Sequence, residues 1–325
     1  VQAGNTHTES DTAMQPQEAI AVQNLEKRYG DKSVVSDVSF TVRPGEVFGL
    51  LGPNGAGKTT TIECLVGLRS PSRGSIQVLG MSPGQDRREF AERVAIQPQS
   101  ASLFQTLSVD ETLTLFRSFY ADGAEPSAIR AEVGLDEQAD TRGKNLSGGQ
   151  LRRLLLGVAL VGDPDVVVLD EPSAGLDPSA RQALWGTIRG LSERGVTVLL
   201  STHHMDEATE LCDRVGILVA GKLVALDNPQ ALILAREAET VVSFDVDKNA
   251  ALDVLADLPG VTGHEVDVTS RGRRVRVRTA VPDDLIRKIT FMHGLSASNF
   301  DIKRGSLEDL FLELSEASPD STSGA

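Results

Sequence analysis

The sequence predicts an α/β fold with a buried parallel sheet and a mostly helical insert, followed by a small two-layer α+β domain. Three observations carry this. The runs Val166–Leu169 and Val196–Thr202 are rich in β-branched residues and read as strands buried on both faces. A further apolar run, Val47–Leu51, passes straight into a glycine-rich turn and then a helical stretch, Thr59–Gly67. Beyond about Ala238 the pattern becomes strand, helix, strand, strand, helix, strand, the order of a ferredoxin-like domain.

Taken in order, residues 1–17 are polar and read as a disordered tail. Ile20–Leu25 alternates like a strand, and Val38–Val42 is a second one ending at the turn Arg43-Pro44-Gly45, with Lys27–Gly30 between them. Ser75–Leu79 and Val94–Gln99 are further strands. From residue 103 to 161 the character is helical, with Leu113, Phe116 and Tyr120 as the stripe of one helix. Leu184–Leu191 and Asp206–Cys212 read as helices, and Val215–Ala220 with Lys222–Ala225 as strands joined around Gly221. Residues 228–238 look like a helical connector. In the last domain, strands are expected at Thr240–Val246, Glu265–Val268, Val275–Thr279 and Ala297–Ile302, and helices at Ala250–Leu258 and Asp283–Met292. Ser306 and Asp309 form a helix cap, and 315–325 is a second disordered tail. The domain boundaries are then 18–230 for the first and 231–314 for the second.

The chain has 325 residues and a net charge of −14, which argues against nucleic acid as a partner. Its two cysteines, Cys64 and Cys212, form neither a disulfide framework nor a metal-ligand spacing. No apolar run approaches the roughly 20 residues that span a bilayer, and no signal sequence is evident, so any membrane role comes through a partner.

Three motifs carry chemistry. Gly52-Pro53-Asn54-Gly55-Ala56-Gly57-Lys58-Thr59 lies between strand and helix, followed by Thr60. Its glycines let successive N–H groups face inward as a nest for phosphate oxygens, at the positive end of a helix. Lys58 is placed to reach the β- and γ-phosphates and Thr59 to ligate Mg²⁺. Asp170 and Glu171 close the strand Val166–Leu169. Alternation turns the two carboxylates opposite ways, and Pro172 is expected to keep Glu171 extended. One carboxylate then suits Mg²⁺ and the other an attacking water. The third motif, Leu146-Ser147-Gly148-Gly149-Gln150, offers bare N–H groups, a hydroxyl and a helix dipole to an anion. Taken singly, each motif also reads as a glycine turn or an acidic turn without a ligand; together they leave that reading weak.

With these residues in view, Ile20–Pro229 resembles the ATP-binding subunit of an ABC transporter. Gly52–Thr59 matches its Walker A loop, Leu146–Gln150 its signature, and Val166–Asp170 its Walker B strand with Glu171 as the catalytic glutamate. Ser173–Asp177 resembles the D-loop and Ser201-Thr202-His203 the switch histidine segment, His203 being favoured over His204 because it ends the strand. Tyr29 sits where the family stacks an aromatic on adenine. Gln99 sits where it places a glutamine against Mg²⁺ and water; Gln97 is on the same strand face, and the choice between them stays open. The resemblance implies a P-loop NTPase of ABC type with ATP and Mg²⁺, and a homodimer in which Ser147, Gly148, Gly149, Gln150 and Asp177 of one copy complete the site of the other. It also implies an integral membrane permease as partner and a place on the cytoplasmic face of the cell membrane. Ser306–Leu312 is similar to the ending of daunorubicin-type drug-exporter subunits, which implies export of a drug, lipid or other hydrophobic compound. The alternatives are a soluble ABC ATPase without a transport role, and a scaffold that binds nucleotide without turnover. The alternating Arg271–Arg278 stretch reads as a solvated strand face.

Overall fold

The computed structural model describes residues 18–316, apart from 86, 101, 236–239, 249, 256–257, 270–271, 293–294 and 304–305. The chain runs β1 (Ile20–Tyr29), β2 (Lys32–Val42), β3 (Val47–Leu51), α1 (Lys58–Leu65), β4 (Arg73–Val78), α2 (Arg87–Arg93), β5 (Val94–Gln97), α3 (Val109–Arg117), α4 (Pro126–Glu132) and α5 (Gly148–Leu160). It continues through β6 (Val166–Asp170), α6 (Pro178–Glu193), β7 (Thr197–Thr202), α7 (Met205–Leu211), β8 (Arg214–Val219), β9 (Lys222–Asp227) and α8 (Pro229–Ala235). The last elements are β10 (Thr240–Val246), β11 (Val261–Val268), β12 (Arg273–Thr279), α9 (Pro282–Phe291), β13 (Ser298–Lys303) and α10 (Leu307–Glu316). Two compact units result. One holds the described residues through His203 together with Leu211–Leu223; the other holds His204–Glu210 and the described residues from Val224 onward.

In the first unit β5, β6, β7, β3 and β8 lie side by side in that order and run parallel. Every residue of β3, β6 and β7 is buried, which is why their sequences are apolar throughout rather than alternating. The register fixes where the strands end. Leu51 lies opposite Thr202, Asp170 opposite Ser201, and Gln97 opposite Leu169, so the carboxyl ends of four strands finish almost level. β1 pairs with both β2 and β4 in a separate antiparallel sheet. Lys27–Tyr29, expected between strands, belongs to β1, and only Gly30 and Asp31 make the turn. The insert packs α3, α4 and α5 around Leu113, Ile129 and Leu154, all buried. The sequence reading missed α2, a charged segment with Phe90 as its single buried anchor; one apolar residue gives no periodicity to detect.

The second unit has the strand order β11-β12-β10-β13 with every neighbour antiparallel, the split-βαβ arrangement. Leu285 and Ile289 of α9 pack on Val242, Phe244, Val275 and Val277. The helix expected at Ala250–Leu258 is instead a short 3₁₀ turn, Asp253–Leu255, with 256–257 outside the described residues. Leu252 and Leu255 are both buried, and their spacing suits one tight turn before Pro259 and Gly260 redirect the chain. On the outer face Arg274, Arg276 and Arg278 pair with Asp245, Asp267 and Glu265, the solvated ladder expected; Arg271 lies outside the described residues. The tail expectation for 1–17 lies outside the described residues, as does the part of the connector from 236 and of the second tail from 317, while 315–316 continue α10.

Candidate functional site

Four loops leave the level strand ends of the main sheet: those after β3, β5, β6 and β7. Open α/β sheets bind ligands at this edge. The loop after β3 is Gly52–Gly57, and its close packing explains two of its glycines. A Cβ on Gly52 would lie 2.5 Å from the Leu218 carbonyl oxygen. One on Gly57, whose φ is +102°, would lie 2.8 Å from the Val34 carbonyl oxygen. Lys58 opens α1 and is buried; its Nζ donates to the carbonyls of Gly52 at 2.8 Å and Pro53 at 3.3 Å.

The same ammonium pairs with Glu171 Oε1 at 3.1 Å, both side chains being almost wholly shielded from water. The second carboxylate oxygen, Oε2, is 2.5 Å from Nδ1 of His203, directly after β7. Contrary to the expectation from Pro172, Glu171 is not extended: its φ is +51°, in the left-handed region, at a cost of about 1–2 kcal/mol for a side chain with Cβ. Pro172 disfavours only the right-handed helical region for the residue before it. The N–H of Glu171 bonds to the Ser201 carbonyl at 3.2 Å and hydroxyl at 3.1 Å, which holds the turned backbone. Asp170 Oδ1 accepts from Thr59 Oγ1 at 3.4 Å and from Ser201 Oγ at 2.5 Å.

A cavity of about 300 Å³ opens among these groups, lined by Val34, Pro53, Asn54, Gly55, Gly57, Lys58, Thr59, Thr60, Gln99 and Glu171. Ala56, within the loop, is buried. Gln99 lies two residues beyond β5 and is exposed, whereas Gln97 ends the strand at 1 % exposure with neither amide atom partnered among the described residues. The strand stops at Gln97, so the two glutamines do not share a strand face. Tyr29 ends β1, half-exposed, its ring beneath Lys27 Nζ at 5.2 Å and the Arg69 guanidinium at 5.5 Å. His204 belongs to the second unit.

Ser147 caps α5, with its hydroxyl accepting from the Gln150 N–H and the Gln150 side chain accepting from the Ser147 N–H. Beside that cap, Gly148 lines a different cavity of about 420 Å³ with Gln99, Arg152 and Ala174–Leu176. Gly149 lies within α5 on the Ala180 side, and Asp177 caps α6 by accepting from the Ala180 N–H at 3.0 Å. Within one chain, then, the Ser147–Gln150 turn and Asp177 are not among the residues lining the Lys58 cavity. Sequence reasoning gave no role to Ser201 or Val34. Ser201 meets Asp170 and Glu171 through strand register, and Val34 meets Gly57 through backbone approach; neither leaves a mark in a linear pattern.

Comparison with known proteins decides the family. The ABC transporter family model matches residues 35–174. The Nod factor export ATP-binding protein I of Burkholderia orbicola is 38% identical over 307 residues, covering 91% of this chain and 96% of that protein. The protein of the same name from Rhizobium meliloti is 38% identical over 304 residues, covering 92% and 88%. The chain belongs to the ABC transporter family. Among solved structures, an ATP-binding subunit of an ABC transporter aligns at 28% identity and TM-score 0.61, covering 74% of this chain and 98% of that one. A second, cbiO1 of Clostridium perfringens, part of the ABC transporter complex cbiONQ, aligns at 26% identity and TM-score 0.60, covering 68% and 92%. The expected α/β fold of an ABC-type P-loop NTPase is therefore borne out. This ABC subunit binds ATP and hydrolyses it to power transport through a separate membrane permease. No described helix is long and apolar enough to cross a membrane.

Proposed function

We propose that the Lys58 cavity is the ATP site and that Glu171 is its catalytic base, held by His203. The observation that carries this is the convergence of Lys58, Glu171 and His203 through contacts of 3.1 and 2.5 Å at the mouth of the loop after β3. Phosphoryl transfer to water needs positioning and neutralisation of charge more than covalent chemistry. The Gly52–Thr60 backbone cradles the phosphates, and Lys58 exchanges its carbonyl and carboxylate partners for phosphate oxygens. Glu171, released from Lys58, accepts a proton from the attacking water. Tyr29 stacks on adenine at the rim.

The hydroxyl of Thr59 and the carboxylate of Asp170 form an all-oxygen donor pair, and Mg²⁺ takes one or two such protein ligands beside substrate phosphates. Their fit supports Thr59 and Asp170 as its holders, and Gln99, which lines the same cavity as Thr59, is the third. Mg²⁺ bound there neutralises charge on the β- and γ-phosphates. Ser147, Gly148, Gly149, Gln150 and Asp177 serve a second copy in a head-to-tail dimer; that none of them lines the Lys58 cavity within one chain supports that division.

The nucleotide-binding domain spans 18–230 and the C-terminal domain 231–314. The subunit works at the cytoplasmic face of the cell membrane, docked on its permease. The long relatives are export ATP-binding proteins, and export of a drug, lipid or other hydrophobic compound is the direction we assign. The deciding experiment is Glu171→Gln: ATP binding is retained and steady-state hydrolysis falls at least a hundredfold. Normal turnover in that variant would remove Glu171 from its role.

A further inference from the structure

Ser201, the first residue of the histidine segment, has no role of its own assigned, yet it bonds to both acidic residues of the site. Ser201 is inside β7, wholly buried, and in register with Asp170. A hydroxyl has one proton to give and lone pairs to receive with, and Ser201 uses both. Its proton goes to Asp170 Oδ1 at 2.5 Å, the short range of a hydroxyl–carboxylate bond. Its oxygen accepts the Glu171 N–H at 3.1 Å, while its own carbonyl accepts that N–H at 3.2 Å. The oxygen it fixes on Asp170 is the one Thr59 Oγ1 reaches at 3.4 Å.

We propose that Ser201 is a positioning residue: it orients the Asp170 carboxylate toward the metal-holding pair with Thr59 and keeps Glu171 in its left-handed turn. It acts through these two residues and does not touch nucleotide. Ser201 lies in a strand whose preceding residues, Val198, Leu199 and Leu200, are wholly buried and apolar, so packing alone would be served by another apolar side chain. The hydroxyl is there for its proton and its lone pair. Outer partners of metal-holding groups contribute about 10–100-fold to metal affinity or activity, which sets the size of effect expected.

This inference rests on the proposed assignment of Asp170 to Mg²⁺, and the test separates the two. ADP affinity is measured by calorimetry in EDTA and in excess Mg²⁺ for the wild-type chain, Ser201→Ala, Ser201→Thr and Asp170→Asn. ADP avoids turnover, so the readout is binding alone. The expected result is that Ser201→Ala cuts the Mg²⁺-dependent gain in ADP affinity by about tenfold, with affinity in EDTA within about twofold of wild type. Ser201→Thr, which keeps the hydroxyl, preserves the gain, and Asp170→Asn abolishes it. In ATP hydrolysis Ser201→Ala lowers kcat and raises KM in step with the weakened Mg²⁺-dependent binding. A full Mg²⁺ gain in Ser201→Ala overturns the inference, and so does an equal loss of affinity in EDTA, which marks a merely structural serine. If Ser201→Ala does not fold, the threonine variant decides: a folded protein without the gain overturns the inference, and one with the gain supports it. A full gain in Asp170→Asn, or none in wild type, instead removes the metal assignment beneath it.

Discussion

Lys58 has three acceptors within 3.3 Å, two of them carbonyls of its own loop and the third Glu171. A buried pair of this kind loses hydration on both sides, and its attraction repays that loss only when each charge is fully bonded. Here each is, because His203 takes the second oxygen of Glu171. Gln97 is the opposite case. Its amide is buried at the end of β5 with neither polar atom partnered among the described residues, a situation that costs about 1–3 kcal/mol for each unsatisfied group. Gln97→Leu, of similar volume, should therefore raise the urea midpoint, adding about 1–3 kcal/mol of stability. A lowered midpoint would mean the amide is satisfied in solution. The sequence left Gln97 and Gln99 open because a dipeptide spacing cannot show where a strand stops.

At the level of elements, caps and turns were the most legible features, since their rules are local. Ser306 and Asp309 bond reciprocally at the start of α10: the Ser306 N–H and hydroxyl donate to Asp309 Oδ2 at 3.0 and 2.7 Å, and the Asp309 N–H donates to Ser306 Oγ at 3.2 Å. The Ser306 hydroxyl, above all, holds the Asp309 carboxyl below its ordinary range, against a smaller opposing effect of burial. Because the folded pKa is depressed, this contribution is whole above the ordinary carboxylate range of about 4 and is lost as pH falls through the lower folded value. Titration of Asp309 by NMR should show the depressed carboxyl, and Ser306→Ala should return it upward. A titration unmoved by that substitution would break the link. The 3₁₀ turn at Asp253–Leu255 was misread for a reason also at this scale: a few apolar residues at i and i+3 satisfy one tight turn as well as a helix.

The whole molecule divides into two compact units, and the residues lining the Lys58 cavity all belong to the first. Phe244, wholly buried, anchors the second among Val242, Val275 and Leu285. Phe244→Ala should cost that unit about 3–5 kcal/mol, seen as a lowered calorimetric transition, while ATP binding by titration is retained. Loss of ATP binding would tie the second core to the site. By itself the sequence determined the α/β class, most of the order of elements, the phosphate loop and the acidic pair, because periodicity, glycine spacing and strand-end carboxylates are written in neighbouring residues. Tertiary structure alone decided that Ser201 meets Asp170, that Glu171 turns left-handed to reach Lys58 and His203, and that the Ser147–Gln150 turn does not line the Lys58 cavity. Those facts depend on strand register and backbone approach between segments 30 or more residues apart, such as Ser201 and Glu171, and no local pattern encodes a register set by the packing of the entire sheet.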